Sequence, residues 1–509
     1  MRVFFRARGE FILGALLVAC ALAFFCGSAR AQQQNSTDND ATSVGDSQTS
    51  VHGYAQPTVQ GTDNKTIQER TTEGVVGDQG QKFEGFTQNN GGAFNDTPNA
   101  IQESVKGRPR PEYEPNGIQL NDFVNGLGRL TIGRDRALLD KSNAFLGSFV
   151  LNTTTEAQVG YDSNPFRTKT GAKPDTLFVF SPGFIIGSDW TNDSVQLDVG
   201  TSFGRYGKNQ VLNYQDYHIG LSGRLDMFSD DALLTGFRFD HLHAQPGAPD
   251  TPTNTSTTTL YDKYTYNLGY RSEGGQEFVR SDFQASYYDY LHNGGVDNDA
   301  GDRVELTLTT RVGYETTPGT KLFIEPAINT RRYVRGSYNG QTDPSSQGGQ
   351  LLAGFSWDYS GVTFLEFGAG YLRQTYDDPS FSTIQGPTAS AKATWNATGL
   401  LTFTGAFSRS VVETALVGQS GDLSTTYSLT ADWEALYNLL VDLGVSRTSD
   451  DYQGSSRLDN LTSWTTGVRY LMTQNWYLEG RFFYDTKTSS VTGGGYDDQR
   501  LLFTVGERL

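Results

Sequence analysis

Residues 194–206 read "SVQLDVGTSFGRY". Val195, Leu197, Val199, Thr201 and Phe203 share one parity, and Gln196, Asp198, Gly200, Ser202 and Gly204 share the other. Successive side chains of a β-strand point to opposite faces, so this stretch has one apolar face and one of small or charged groups. Two environments suit the pattern. One is a protein core against bulk water; the other is lipid against a wet interior.

Composition begins to separate them. Hydrophobic residues make up only 36% of the 509 positions, yet aromatics reach 12%, with 26 Tyr, 31 Phe and 58 Gly. A soluble chain this poor in aliphatic residues struggles to fill a core, whereas a wall one layer thick needs only an apolar outer band. The formal charge of −17 excludes nucleic acid as a partner, because phosphate binding needs a basic footprint.

The beginning of the chain reads as an export signal. Arg2, Arg6 and Arg8 precede the apolar run "FILGALLVACALAFFC", and Ala29-Arg30-Ala31 supplies the small-x-small cleavage triplet. Residues 1–31 are therefore expected to be removed. The alternatives are a retained anchor and a lipobox at Leu17-Val18-Ala19-Cys20, whose product would carry an apolar tether unlike that of a lipoprotein. Cys20 and Cys26 both lie inside the signal, which leaves no thiol and no disulfide after it. No later run has the roughly 18 apolar residues of a spanning helix, so a membrane-resident mature chain must cross as a closed barrel.

Residues 32–115 are rich in Gln, Asn, Ser, Thr and Gly without apolar periodicity, and are expected to be a disordered periplasmic tract. Residues 116–144 read as a short pre-barrel segment. From 145 to 509, period-two segments recur, joined alternately by short connections ("FSDD", "EGGQ", "ETTPG", "NATG", "TQN") and longer polar ones ("DSNPFRTKTGAKPD", "QPGAPDTPTNTSTT", "GSYNGQTDPSSQG"). That alternation belongs to an outer-membrane barrel with tight periplasmic turns and long extracellular loops. The expected fold is an all-β, antiparallel up-and-down transmembrane barrel of about 18 strands, with 16 as the alternative because 176–189 and 385–396 alternate least cleanly.

The polar parity settles which face meets lipid. It carries Arg224, Arg238, Arg271, Arg280 and Arg311 together with Asp198, Asp226, Asp282, Glu305, Glu325, Asp432 and Glu479. In lipid, each charge at the midplane would cost about 2–4 kcal/mol; in a hydrated lumen the charges pair with one another and with water. These twelve are the expected lumen-facing residues. Tyr206, Tyr214, Tyr314, Trp357, Trp395, Trp433, Tyr470 and Trp476 sit beside turns and are expected in interfacial girdles. The ending "LLFTVGERL" resembles the closing-strand signal read by the outer-membrane assembly machinery, departing from it in its terminal Leu509 and in Glu507 on the apolar parity.

The opening "FLGSFVLNTTTEAQVGYDSNPFR" (145–167), an aromatic strand running into a Tyr-Asp-x-Asn loop, resembles the start of an outer-membrane β-barrel porin family. Its members are often linked to exopolysaccharide or capsule loci. The resemblance covers 145–509 and implies an outer-membrane channel for passive diffusion or polysaccharide export.

Candidate chemical sites are few. His241-x-His243 offers two imidazoles of one parity, read as a rim pair for want of a third metal ligand. Asp162 and Asn164 offer oxygens for calcium or sugar, though Asp, Asn and Pro there favour a plain turn. His52, His218 and His292 form no catalytic grouping with Ser and Asp, and there is no P-loop or dinucleotide fingerprint. The expectation is a non-enzymatic channel without metal or cofactor. Its partners would be outer-membrane lipid, lipopolysaccharide and the assembly machinery, with a polysaccharide chain as one permeant; the oligomeric state stays open. An adhesion barrel binding through its long loops is the alternative, and a lipid-modifying barrel enzyme ranks third.

Overall fold

The computed structural model describes residues 144–509, apart from 191–192, 229–230, 245, 247–257, 294–297, 336–342, 360–361 and 413–420. The expected signal, the polar tract and nearly all of the segment at 116–144 lie outside the described residues.

Nineteen strands follow in chain order: β1 Ala144–Leu146, β2 Phe149–Asp162, β3 Asp175–Ser188, β4 Ser194–Tyr206, β5 Tyr214–Phe228, β6 Asp231–Ala244, β7 Thr259–Ser272, β8 Glu277–Leu291, β9 Arg303–Thr317 and β10 Thr320–Tyr333. The rest are β11 Ser346–Tyr359, β12 Thr363–Tyr376, β13 Ile384–Thr398, β14 Leu401–Val412, β15 Gly421–Leu436, β16 Leu439–Gln453, β17 Leu458–Leu471, β18 Trp476–Ser489 and β19 Tyr496–Arg508. Each of β2–β19 pairs antiparallel with its sequence neighbours, and β19 closes on β2 from Arg500↔Asp162 to Arg508↔Thr154. The result is a closed barrel of 18 long strands. The doubtful segments 176–189 and 385–396 are β3 and β13.

β1 is a three-residue piece that turns at Gly147 and pairs back onto β2 below the foot of β19. Gly147 has φ 66, a left-handed value that glycine adopts without steric cost.

Registers fix the barrel's dimensions. Followed once round the wall, they return to β12 displaced by about 22 residues, which with strand spacings of ~4.8 Å implies a tilt of roughly 40° and a Cα radius of about 18 Å.

Alternation sorts the side chains. Leu308, Val312, Leu322, Ile324, Ile328, Leu351, Leu429, Leu443, Leu478, Phe503 and Val505 are exposed, whereas Glu325, Glu366, Arg311, Arg238 and Asp240 are buried. In a one-layer closed wall, the exposed parity faces outward and the buried parity inward. Tyr314, Trp357, Tyr359, Trp395, Trp433, Tyr470 and Trp476 are 41–56% exposed and ring the short-turn end on the outside. Tyr206 and Tyr214 do not join a girdle. Tyr214 is 8% exposed because it lies on the inward parity opposite Gly204, whose missing side chain makes room for its ring; a Cβ there would stand 2.0 Å from that ring. Tyr206 turns its hydroxyl to Asp162 instead.

The wall is not uniform. β13 and β14 pair only between Thr398↔Leu401 and Ser390↔Ser408, so the seam between them is unpaired towards the long-loop end.

Candidate functional site

The inner wall is the candidate functional surface, and it is built by cross-strand neighbours of one parity. On β4–β6, Arg238 Nε donates to Asp240 (2.7 Å) and its Nη1 donates to Asp198 (3.1 Å), while His218 lies 3.2 Å from Asp198. On β9–β12, Arg311 bridges Glu325 (2.7 Å) and, two strands further on, Glu366 (2.9 Å). On β17–β18, Glu479 accepts from Arg469 (2.7 Å) and Arg481 (2.9 Å), and Tyr477 of the same strand donates to Glu156 on β2.

The remaining expected lumen residues pair more locally. Arg224 meets Asp226 (2.7 Å), Arg271 meets Asp282 (2.7 Å), and Glu305 meets Arg303 (2.7 Å). Arg280 reaches Glu273 in the β7–β8 turn (2.6 Å). Asp432 lies in the row between Thr402 and Asp442. On β4–β12 and β17–β18 opposite charges thus interleave and brace the wall, whereas the inward charges of β15 and β16 are all carboxylates: Asp422, Asp432, Glu434, Asp442 and Asp450.

Sequence reasoning left Asp240, Glu366, Arg469, Arg481 and Arg500 out of the lumen set. All five lie on the inward parity of their strands, so applying the alternation to every charge would have found them.

One row runs through six strands: His218, Asp240, Lys263, Tyr288, Arg303 and Tyr333 stand side by side from β5 to β10. Lys263 Nζ lies 5.0 Å from the Tyr288 ring centre and the Arg303 guanidinium 4.1 Å from it, both within cation–π range. Leu242, Tyr261 and Tyr290 form a buried apolar cluster with Tyr288.

Across the barrel the lining changes. Thr404, Thr426, Ser428, Thr430 and Ser463 are half-buried, and Thr394, Thr402, Ser446, Thr448 and Thr465 are buried, all on the inward parity of β13–β17. Thr426 and Thr448 hydroxyls share a hydrogen bond of 3.1 Å.

The unpaired seam has a cause. Above Ser408, the tip of β14–β15 leans inward: Val411 and Leu423 pack on Leu372, Ile384 and Tyr376 of the inner face of β12–β13. Thr388 Oγ1 donates to the Arg409 carbonyl (2.6 Å), and Arg331 of β10 donates to the Val411 carbonyl (3.2 Å). A wall strand held by a side chain four strands away narrows the lumen there. This constriction was not visible in the alternation of either strand.

The histidine motif is corrected. His241 faces outward, stacked on Tyr217 with Nδ1 2.6 Å from Asp262. His243 does not share that face. β6 has left β5 beyond the Tyr217↔His241 pair, and His243 turns inward to Asp216 (2.8 Å) and stacks on Tyr214. Among the described residues no group of three or more His, Cys, Asp or Glu is placed to hold a metal. The Asp162–Asn164 stretch is a turn stapled to β19: Asp162 Oδ1 accepts from Asn164 N (2.9 Å), and the Asn164 amide donates to the Thr168 and Asp497 carbonyls.

A family model described as Putative beta-barrel porin 2 matches residues 143–509. No curated protein matches the chain. Among solved structures, OccAB4 of Acinetobacter baumannii shares 10% identity, covering 74% of this chain and 100% of its own, with a TM-score of 0.40. OpdL of Pseudomonas aeruginosa shares 13% over 72% of this chain and 99% of its own, at 0.39. OprC, titled a copper transporter, shares 8% over 72% and 82%, at 0.42.

Proposed function

The chain belongs to the Putative beta-barrel porin 2 family, and on that premise we propose that it is a non-enzymatic channel through which small uncharged polyhydroxy solutes diffuse along the hydroxyl-lined wall. The barrel is an outer-membrane β-barrel porin; its permeant class is the inference. The observation that carries it is the half-buried run of Thr404, Thr426, Ser428, Thr430 and Ser463 on β14, β15 and β17. Hydroxyls exchange hydrogen bonds with water and with sugar-like solutes at similar free energy, and they impose no charge barrier. Inward guanidiniums of β5–β12 and β17–β18 are held in ion pairs, and the charges of β15 and β16 within this wall are carboxylates that stand above and below the hydroxyl run. A glycan chain offers the same chemistry in extended form.

The refolded chain in planar bilayers should conduct, and proteoliposomes should swell in pentose and hexose solutions faster than in solutions of equally sized salts. Folded protein that leaves bilayers sealed, or swelling that follows solute charge alone, would overturn the reading.

A further inference from the structure

The outer wall carries its own ordered charges. On the outward parity, arginine occurs at Arg205, Arg332, Arg373, Arg409 and Arg447, always in the half of the strand nearer the long loops. At the short-turn end the outward charges are acidic: Asp231, Glu277 and Glu507. Outward carboxylates also occur near the long loops, at Asp262, Asp451 and Asp497, but outward arginines occur only there among the described residues.

These arginines differ in their partners. Arg332 pairs with Asp377 at the rim, Arg205 donates to the carbonyls of Gly204 and Tyr214, and Arg409 sits at the split seam. Arg373 and Arg447 are exposed and have no carboxylate partner among the described residues. Each stands beside an exposed ring on the same face. Tyr371 is two residues below Arg373, and Tyr427 is directly opposite Arg447 on β15.

An exposed tyrosine at this level marks the boundary between hydrocarbon and headgroups, so the adjoining guanidinium reaches the headgroup layer. A guanidinium there, in a chain of net charge −17, favours a phosphate oxygen that it can grip with two parallel N–H donors. We propose that Arg373 and Arg447 bind phosphate groups of a phosphorylated lipid in the leaflet on the long-loop side, with the lipid's chains lying on the apolar exterior of β12–β16. This rests on the porin reading only for the orientation of the barrel.

The test uses the full chain refolded in non-ionic detergent and lipid A as the probe, in bisphosphorylated and dephosphorylated forms, with retention read by native mass spectrometry. The wild type should hold the phosphorylated lipid roughly tenfold more tightly, and the paired substitution Arg373→Gln with Arg447→Gln should remove most of that preference. Arg332→Gln, already occupied by Asp377, should leave it. Inorganic phosphate at millimolar concentration should not displace the lipid. Equal retention of both lipids by the wild type, which requires no variant to fold, would overturn the proposal. So would an unchanged preference in a paired variant that keeps its heat-modifiable mobility, or full displacement by inorganic phosphate. Conductance of the same preparation reads the channel separately, so either idea can fail alone.

Discussion

Two sectors of the inner wall, centred on β7 and β15 and eight strands apart, are built on opposite plans. From β4 to β10 the inward side chains are long, ionised and aromatic, and nearly every guanidinium lies against a carboxylate or a ring. From β13 to β17 Ser and Thr are the commonest inward side chains, with buried carboxylates of β15–β17 set among them. The first sector is cross-linked into a lattice by long side chains; the second presents shorter ones. A barrel with no core needs the former, because ion pairs and cation–π contacts tie strands together where apolar packing is absent. It needs the latter to conduct.

The contrast can be broken most severely at Arg311. Arg311→Met should strand Glu325 and Glu366, 1% and 4% exposed, without their shared cation, at a cost of about 3–5 kcal/mol. Urea unfolding in detergent, followed by heat-modifiable mobility, would show the midpoint fall; an unchanged midpoint would mean the lattice is not structural. Outside, Ile324→Arg places a charge in the lipid-facing band beside that lattice and should cost about 2–4 kcal/mol in bilayer refolding equilibria. Thr307→Arg on the inward parity of β9 should cost far less, and equal penalties would refute the assignment of faces.

The seam tests the second sector. Ile384→Ala removes packing under the leaning tip of β14–β15, a local loss of about 2–4 kcal/mol, and should increase single-channel conductance and open-state noise. Noise and conductance identical to the parent would show that the tip does not narrow the path. The smallest effect on stability belongs to Ser428→Arg in the hydroxyl wall. Unfolding should be unaltered, while conductance falls roughly twofold and small anions gain on cations. A matching loss of stability with conductance preserved would reverse the roles given to the two sectors.

The alternation was legible almost throughout. Strand number, the faces of β4, β5, β7 and β9, and the division into short and long connections could be read from parity, because a two-residue period admits only one inward set. Even the weakness of 385–396 had a structural echo, since β13 is the strand that loses its neighbour. What parity misjudged lies at strand ends. His243 turns inward where β6 leaves β5, against its parity, whereas Tyr214 keeps the inward parity and was assigned to the girdle by its place beside a loop alone. Period-two reasoning assumes a strand that stays flat and paired to its last residue.

Alternating polarity, scarce aliphatic residues and abundant aromatics alone determined that this chain forms a lipid-facing barrel with charges inside, because a charge has no affordable place in hydrocarbon. Which charges meet, that Arg311 joins β9 to β12, and that Arg331 holds the tip of β14 depend on shear and curvature. Those set the distance between residues far apart in sequence, and no local pattern encodes that distance.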